Sequence, residues 1–230
     1  MPELDGNRRF QDALAQARHA WASANPARAA GLAGCTLTPA GILVPFFGRP
    51  HLVTHPDGLA GLWQPAASVG SPSPAALQPV HASINILLLH YLLTADGTPP
   101  ADRWIAFREL PDGLFYAQAF AAHAELPLAQ RFGVPADTPA GRAALEELRR
   151  AAATLSGTPL DLADASYRFQ ALPRVAMAVL VWQGDEEFPG QARVLFDAHA
   201  SHYLPTEDLS GVGEWLAHRL VRATTDTRPR

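Results

Sequence analysis

The chain has 230 residues, a net charge of −4 at pH 7, 48% hydrophobic residues and 17% charged residues. This composition predicts a packed core, and the negative charge argues against nonspecific binding to nucleic acid or to an anionic membrane. All 18 basic residues are arginine, which excludes a lysine Schiff base, lysine-anchored pyridoxal phosphate and a phosphate-binding loop that ends in Gly-Lys.

The first half of the chain changes from helical to strand-like periodicity. Apolar residues recur at helical spacing in residues 7–24, which predicts an amphipathic helix ending before Pro26. Three short strands are predicted at residues 35–38, 42–47 and 51–54. Residues 64–79 are rich in proline and serine and predict an irregular connection. Residues 80–93 are apolar at nearly every helical angle, which predicts a buried central helix.

The second half predicts more helices and an antiparallel sheet. Strands are predicted at residues 104–110, 167–172, 175–182 and 192–197. Helices are predicted at residues 114–132 with a break at Pro127, at 139–155 and at 206–223. The last of these begins with acidic residues and ends with arginines, the charge order that a helix dipole favours.

Together these elements predict a single α+β domain over residues 1–230. Its expected core is a mainly antiparallel sheet with a buried central helix and flanking helices, followed by a frayed tail at residues 224–230. No apolar run reaches the roughly 18 residues of a membrane span, and the first residues lack the apolar core of a signal peptide. We therefore expect a cytoplasmic protein that binds neither membrane nor nucleic acid.

Several short motifs form a set that resembles a known family. They are LLHYL at residues 88–92, FREL at 107–110, ALPR at 171–174, WxGDEEFP at 182–189, LFD at 195–197 and YLPTED at 203–208. The set resembles an uncharacterised bacterial and archaeal domain-of-unknown-function family, DUF3786, over most of residues 35–220. The resemblance implies no established activity. Some relatives carry an added cysteine-rich segment and resemble iron–sulfur proteins. Because Cys35 is the one cysteine here, that cofactor does not carry over.

An acidic segment occupies the predicted hairpin loop after residue 182. Asp185, Glu186 and Glu187 are followed by Phe188. Three adjacent carboxylates could bind a hard cation or a basic partner protein, and they could also be solvated turn residues. Phe188 must either return to the core or face a partner.

Asp197, His199 and His202 are the candidate metal ligands. Two imidazoles and a carboxylate suit zinc, iron or manganese. The spacing Asp-x-His-x-x-His is also compatible with an ion pair between Asp197 and Arg174 beside two surface histidines, and the sequence favours this second interpretation. The sequence identifies no cofactor, and a divalent metal is compatible with it.

Arg108, Glu109 and His90 are the candidate ligand-binding residues. In a strand over residues 104–110, alternation places Arg108 and Glu109 on opposite faces, so one charge would point inward and need a partner. That charge could bind an anionic ligand or close a structural ion pair. His90 in the central helix could act as a general base or be a buried histidine bonded to a carbonyl.

Three functional classes remain compatible with the sequence. The first is an accessory protein that binds a small ligand or a metal. The second is an enzyme of unrecognised type, such as a hydrolase that uses carboxylates or a metal. The third is an interaction module that docks a protein partner through residues 185–188. The first is preferred because spacing alone assembles no activated nucleophile.

Overall fold

The structure is a computed structural model that describes residues 2–63 and 77–223, with side chains from residue 10 onward. Residues 64–76 of the predicted connection and the tail at 224–230 lie outside the described residues. The chain divides into two compact units. The first comprises Met1–Pro99, Leu172–Arg174 and His202–Pro205, and the second comprises Pro100–Ala171, Val175–Ser201 and Thr206–Arg230.

The first unit combines helices with a five-stranded antiparallel sheet. The helices are α1 (Pro2–Ala22), α2 (Pro26–Ala33) and α3 (Ala82–Thr94). The strands are β1 (Thr36–Thr38), β2 (Gly41–Phe46), β3 (Arg49–Val53), β4 (Ala60–Leu62) and β5 (Gln78–Pro79). They follow chain order across the sheet. The predicted connection at 64–79 therefore ends in a short edge strand.

Helix α3 forms the centre of the first unit and confirms the predicted buried helix. Leu88, Leu89 and Tyr91 are fully buried, and the helix packs against α1 and α2. The Tyr91 hydroxyl donates to the carbonyl of Ala33 at 2.6 Å and accepts from the amide of Arg174 at 3.0 Å. A buried tyrosine hydroxyl is thereby satisfied in both of its roles.

Helix α2 has no counterpart among the predicted elements. Asn25 is its N-cap, and the side-chain oxygen accepts a hydrogen bond from the amide of Arg28 at 3.0 Å. Pro26 occupies the first turn, where a missing N–H costs nothing, and Gly34 ends the helix with a φ of 67°. Pro26, before which the sequence predicts the end of one helix, is therefore also the start of the next helix.

The second unit is built on another five-stranded antiparallel sheet with the order β6-β10-β9-β8-β7. The strands are β6 (Trp104–Ala106), β7 (Thr158–Leu160), β8 (Ala165–Leu172), β9 (Val175–Trp182) and β10 (Gln191–Asp197). The helices are α4 (Gly113–Phe120), α5 (Leu126–Phe132), α6 (Pro139–Thr154) and α7 (Thr206–Ala223). Helix α5 contacts β9 and β10, and α7 contacts α4, α5 and α6.

Two predicted elements of the second unit are wrong in detail. The strand predicted at 104–110 ends at Ala106, and Phe107–Glu109 form a single 3-10 turn. The helix predicted to break at Pro127 continues through it. Pro127 lies in the first turn of α5, a position at which proline is well tolerated.

A π-helical turn, Ala121–Glu125, joins α4 to α5. We call α4, the π turn and α5 together the helical run. Its most completely buried residues recur every four positions, at Phe120, Ala124, Leu128 and Phe132. In an ideal α-helix at about 100° per residue, positions twelve apart would point roughly 120° away from each other. The π turn adds the residue that keeps all four side chains on the buried side.

The π turn also directs Glu125 toward the sheet. Its Oε2 accepts a hydrogen bond from Arg193 Nη1 at 2.9 Å, and its Oε1 accepts from the amide of Val194 at 3.2 Å. A nearly buried carboxylate is thereby paired and hydrogen-bonded, as burial of a charge requires. These bonds fasten the helical run to β10.

The α+β class with antiparallel sheets is confirmed, although the strands form two sheets rather than one. One domain over residues 1–230 stays a prediction. Among the described residues, no helix combines the length and the apolar composition that crossing a bilayer requires.

Truncation of Leu88 tests the assignment of α3 as core. We expect Leu88→Ala to lower the free energy of unfolding by about 2–5 kcal/mol, because it removes a fully buried side chain from a packed site. The matched control is Leu59→Ala, where the same side chain is exposed, and it should change stability by less than about 0.5 kcal/mol. Urea denaturation measures both, and equal effects would contradict a buried α3.

Candidate functional site

A groove in the second unit lies between one side of α5 with the segment after it and the loop at residues 184–190. It has a volume of about 450 Å³. One wall is formed by Leu126, Ala129, Gln130, Gly133, Val134 and Pro135, and the other by the loop itself, which we call the acidic loop. The lining is mostly apolar, and its ionisable groups are the carboxylates of Asp185, Glu186 and Glu187.

Gln183 fastens the acidic loop to the segment after α5. Its Nε2 donates to the carbonyls of Val134 at 3.0 Å and Gly141 at 2.8 Å. The backbone adds a bond from the amide of Gly184 to the carbonyl of Gly133 at 3.0 Å. On the other side, the Gln183 amide donates to Asp164 Oδ2 at 2.8 Å. The side-chain amide of Gln183 thus bridges the main chain at Val134 and at the start of α6.

Glycine is required at both ends of the acidic loop because the backbone passes very close to its neighbours. A Cβ at Gly190 would lie 1.9 Å from the carbonyl oxygen of Gly133, and a Cβ at Gly184 would lie 2.7 Å from the amide nitrogen of Gly190. No side chain fits at either distance, so the spacing of the two glycines sets the position of the loop.

The three acidic residues have different roles. Asp185 organises the loop: its Oδ1 accepts hydrogen bonds from the amides of Phe188 at 2.7 Å and Glu187 at 2.8 Å. These two bonds, first that of Phe188, lower the pKa of Asp185 below its usual value. Glu186 and Glu187 are exposed. Phe188 is 64% exposed, so of the two predicted alternatives it takes the one that faces away from the core.

Asp197 is buried and accepts hydrogen bonds from backbone amides. It is 2% exposed. Its Oδ1 accepts from the amides of Ala101 and His199, and its Oδ2 accepts from the amide of Asp102, each at 2.9 Å. Both oxygens are therefore occupied by backbone donors. The ion pair with Arg174 stays a prediction.

His202 belongs to the first unit. Its Nδ1 lies 2.7 Å from Asp96 Oδ2 and 3.2 Å from Thr98 Oγ1. The contact with His202, followed by the amide of Thr98, lowers the pKa of Asp96 to about 2. In the part of the chain that the structure describes, no three His, Cys, Asp or Glu side chains are grouped as metal ligands would be. The metal site at Asp197, His199 and His202 stays a prediction.

The predicted ligand-binding residues do not form one cluster within a unit. Arg108 and Glu109 are both exposed in the second unit, because the strand that would have turned one of them inward ends at Ala106. Glu109 Oε2 instead accepts a hydrogen bond from the amide of Ala106 at 2.7 Å. His90 lies half-buried on α3 of the first unit.

A family model described as "Domain of unknown function (DUF3786)" matches residues 25–219. The chain belongs to this family. The match confirms the resemblance carried by the sequence motifs and includes both walls of the groove. No curated protein and no solved structure matches the chain. The function of this DUF3786 domain must therefore be inferred from its own residues.

Sequence reasoning found the carboxylates of the acidic loop but missed the residues that hold it. Gly184 and Gly190 flank the loop and are a recognisable turn signal. Gln183 is different, because its partners at Val134 and Gly141 are 49 and 42 positions away. Nothing local in the sequence indicates such a contact.

Two glycine substitutions test the close approach at the groove. Gly190→Ala should lower the free energy of unfolding by about 1–3 kcal/mol, because the new methyl group would overlap the carbonyl of Gly133. Gly211→Ala in α7 has open space around its Cβ and should raise stability by about 0.5–1 kcal/mol. Thermal and urea unfolding measure the stability of both variants against that of the original chain. A neutral Gly190→Ala would show that the backbones are not in contact.

Asp197→Asn tests the assignment of Asp197 as a backbone anchor. The substitution keeps the size but turns an NH₂ group toward N–H donors, so we expect a loss of about 1–3 kcal/mol. Asp161→Asn, at an exposed position of the same unit, is the matched control and should be neutral. A rise in melting temperature with zinc that Asp197→Asn abolishes would instead support the predicted metal site at Asp197, His199 and His202.

Proposed function

We propose that this DUF3786 domain is a protein-interaction module whose groove binds a short basic and apolar segment of a partner protein. The observation that carries the proposal is Phe188, a large aromatic side chain held 64% exposed beside two exposed glutamates. Aromatic residues at the centre of a surface and charges at its rim are typical of docking sites.

Phe188 is held in place before any partner arrives. Asp185 bonds the Phe188 amide, and the Phe188 carbonyl accepts a hydrogen bond from the Asp185 amide at 2.9 Å. Gln183 and the two flanking glycines fix the base of the same loop. A partner that covers this ring gains about 1.5–3 kcal/mol from apolar burial. It also avoids much of the entropy cost of ordering a mobile loop.

The charge at the groove selects a basic partner. Glu186 and Glu187 are exposed and make no ion pair within the described part of the chain. Their carboxylates are therefore available to arginine or lysine, whereas Asp185 is engaged in the turn. Complementary charge at a rim contributes mainly to association rate and to partner choice.

The same lining argues against catalysis in the groove. It contains no Ser, Thr, Cys, His, Lys or Arg, so neither a nucleophile with its base nor an anion-binding cation is present. The pKa of Asp185 is lowered, whereas a carboxyl that acts as general acid near neutral pH needs a raised pKa. An interaction role therefore accounts for the groove better than a hydrolase or a small-ligand carrier does. A cytoplasmic location and the absence of nucleic-acid partners belong to this proposal.

Selection from a phage-displayed library of random 12-residue peptides tests the proposal on the full chain. We expect enriched peptides to combine arginine or lysine with an aromatic or aliphatic residue. Glu186→Gln/Glu187→Gln should weaken their binding by about tenfold or more, since each 1.4 kcal/mol is a factor of ten. The melting temperature should stay unchanged, because neither glutamate side chain has a hydrogen-bond or ion-pair partner among the residues that the structure describes.

Asp102→Asn/Glu207→Gln removes the same charge at two exposed positions of the second unit that lie outside the groove lining and is the matched control. It should leave peptide affinity within about twofold of the original chain, as expected for remote surface charges in salt. The proposal fails if no peptide is enriched, if the enriched peptides carry no excess of basic residues, or if the two double variants have equal effects.

A further inference from the structure

The solvent side of α4 is unusually apolar. Residues 113–124 contain no Asp, Glu or Arg. Phe115 is 85% exposed and Leu114 is 73% exposed, with Tyr116 exposed beside them. Three adjacent large apolar side chains in solvent, without a charge along the helix, exceed the scattered exposure that is normal for a protein surface.

This apolar face continues into the groove. The opposite side of the helical run is buried, as the four-residue spacing from Phe120 to Phe132 shows. On the solvent side, the exposed apolar positions extend from Leu114 through Ala119 and Ala122 to Leu126, with Gln118 and His123 as the exposed polar residues among them. Leu126 also lines the groove. Twelve helical positions correspond to about 18 Å of length. The apolar face and the acidic loop are therefore two ends of one surface.

We propose that the partner segment is an amphipathic helix whose apolar side lies along α4 and whose basic end lies against Glu186 and Glu187. This inference rests on the function proposed for the groove. A face of about 18 Å matches about twelve residues of helix, or three turns. Such a segment would present apolar residues at i, i+3 or i+4 and i+7. Its arginines or lysines would be confined to the end near the acidic loop.

Charge complementarity favours a protein helix over the other occupants. An anionic lipid surface would be repelled by the carboxylates at one end of the face and by a net charge of −4. A second copy of the chain would have to offer a helix with an apolar side and a basic end. The apolar sides of α6 and α7 are instead buried within the second unit.

A random 20-residue display library selected on the full chain tests the inference. Enriched peptides should show the helical apolar spacing with basic residues at one end, and circular dichroism should show helix formation on binding. Phe115→Ser should weaken these peptides by about tenfold while leaving the short groove-selected peptides unaffected. Leu114→Ser, outside the groove lining, is a second variant, and Leu162→Ser, at an exposed site of the same unit, is the matched control.

The outcomes separate the two proposals. If the long peptides respond to Glu186→Gln/Glu187→Gln but not to Phe115→Ser or Leu114→Ser, the helix inference is overturned and the groove function stands. If they respond to neither set, both fail. Sedimentation with phosphatidylcholine–phosphatidylserine vesicles that Phe115→Ser abolishes would identify a lipid-binding face instead. A dimer in light scattering that Phe115→Ser abolishes would identify a second copy, and either result overturns the inference.

Discussion

The backbone contact between Gly133 and Gly190 is the constraint on which the candidate site depends. Because a Cβ at Gly190 would lie 1.9 Å from the carbonyl of Gly133, the end of α5 and the acidic loop can meet only as bare backbone. Gln183 then ties the same two segments through its side-chain amide. Because both ends of the acidic loop are fixed, the conformation of the loop holds the Phe188 side chain in solvent.

The π turn between α4 and α5 orients the helices that border the groove. It keeps the buried residues of the helical run aligned, and it brings Glu125 to the Arg193 side chain and the Val194 amide. The run can therefore bury one side against β10 and α7 while its other side remains apolar and exposed. Functional sites often lie beside π turns, and here the extra residue decides which side chains remain in solvent.

Local sequence patterns predicted the helices and strands whose bounds depend on their own residues. Strand β9 begins and ends where its apolar run does, α7 follows its charge order, and α3 is as buried as its composition indicates. The features that the sequence did not predict depend on contacts between distant segments. The predicted strand around Arg108 stopped early because Phe107 turns into a core of stacked aromatic rings, 4.1 Å from Phe120. Asp197 is bonded to amides about 95 positions earlier, which residue spacing cannot reveal.

Hydrogen–deuterium exchange is the most direct test of the central claim that the groove is a binding surface. The domain is compared alone and with a peptide selected for groove binding. The structure predicts slower exchange on binding in residues 126–135 and 184–190, the two walls of the groove. No change in residues 36–62 of the first unit is expected. Protection confined to the first unit, with both walls unchanged, would contradict the assignment of the groove.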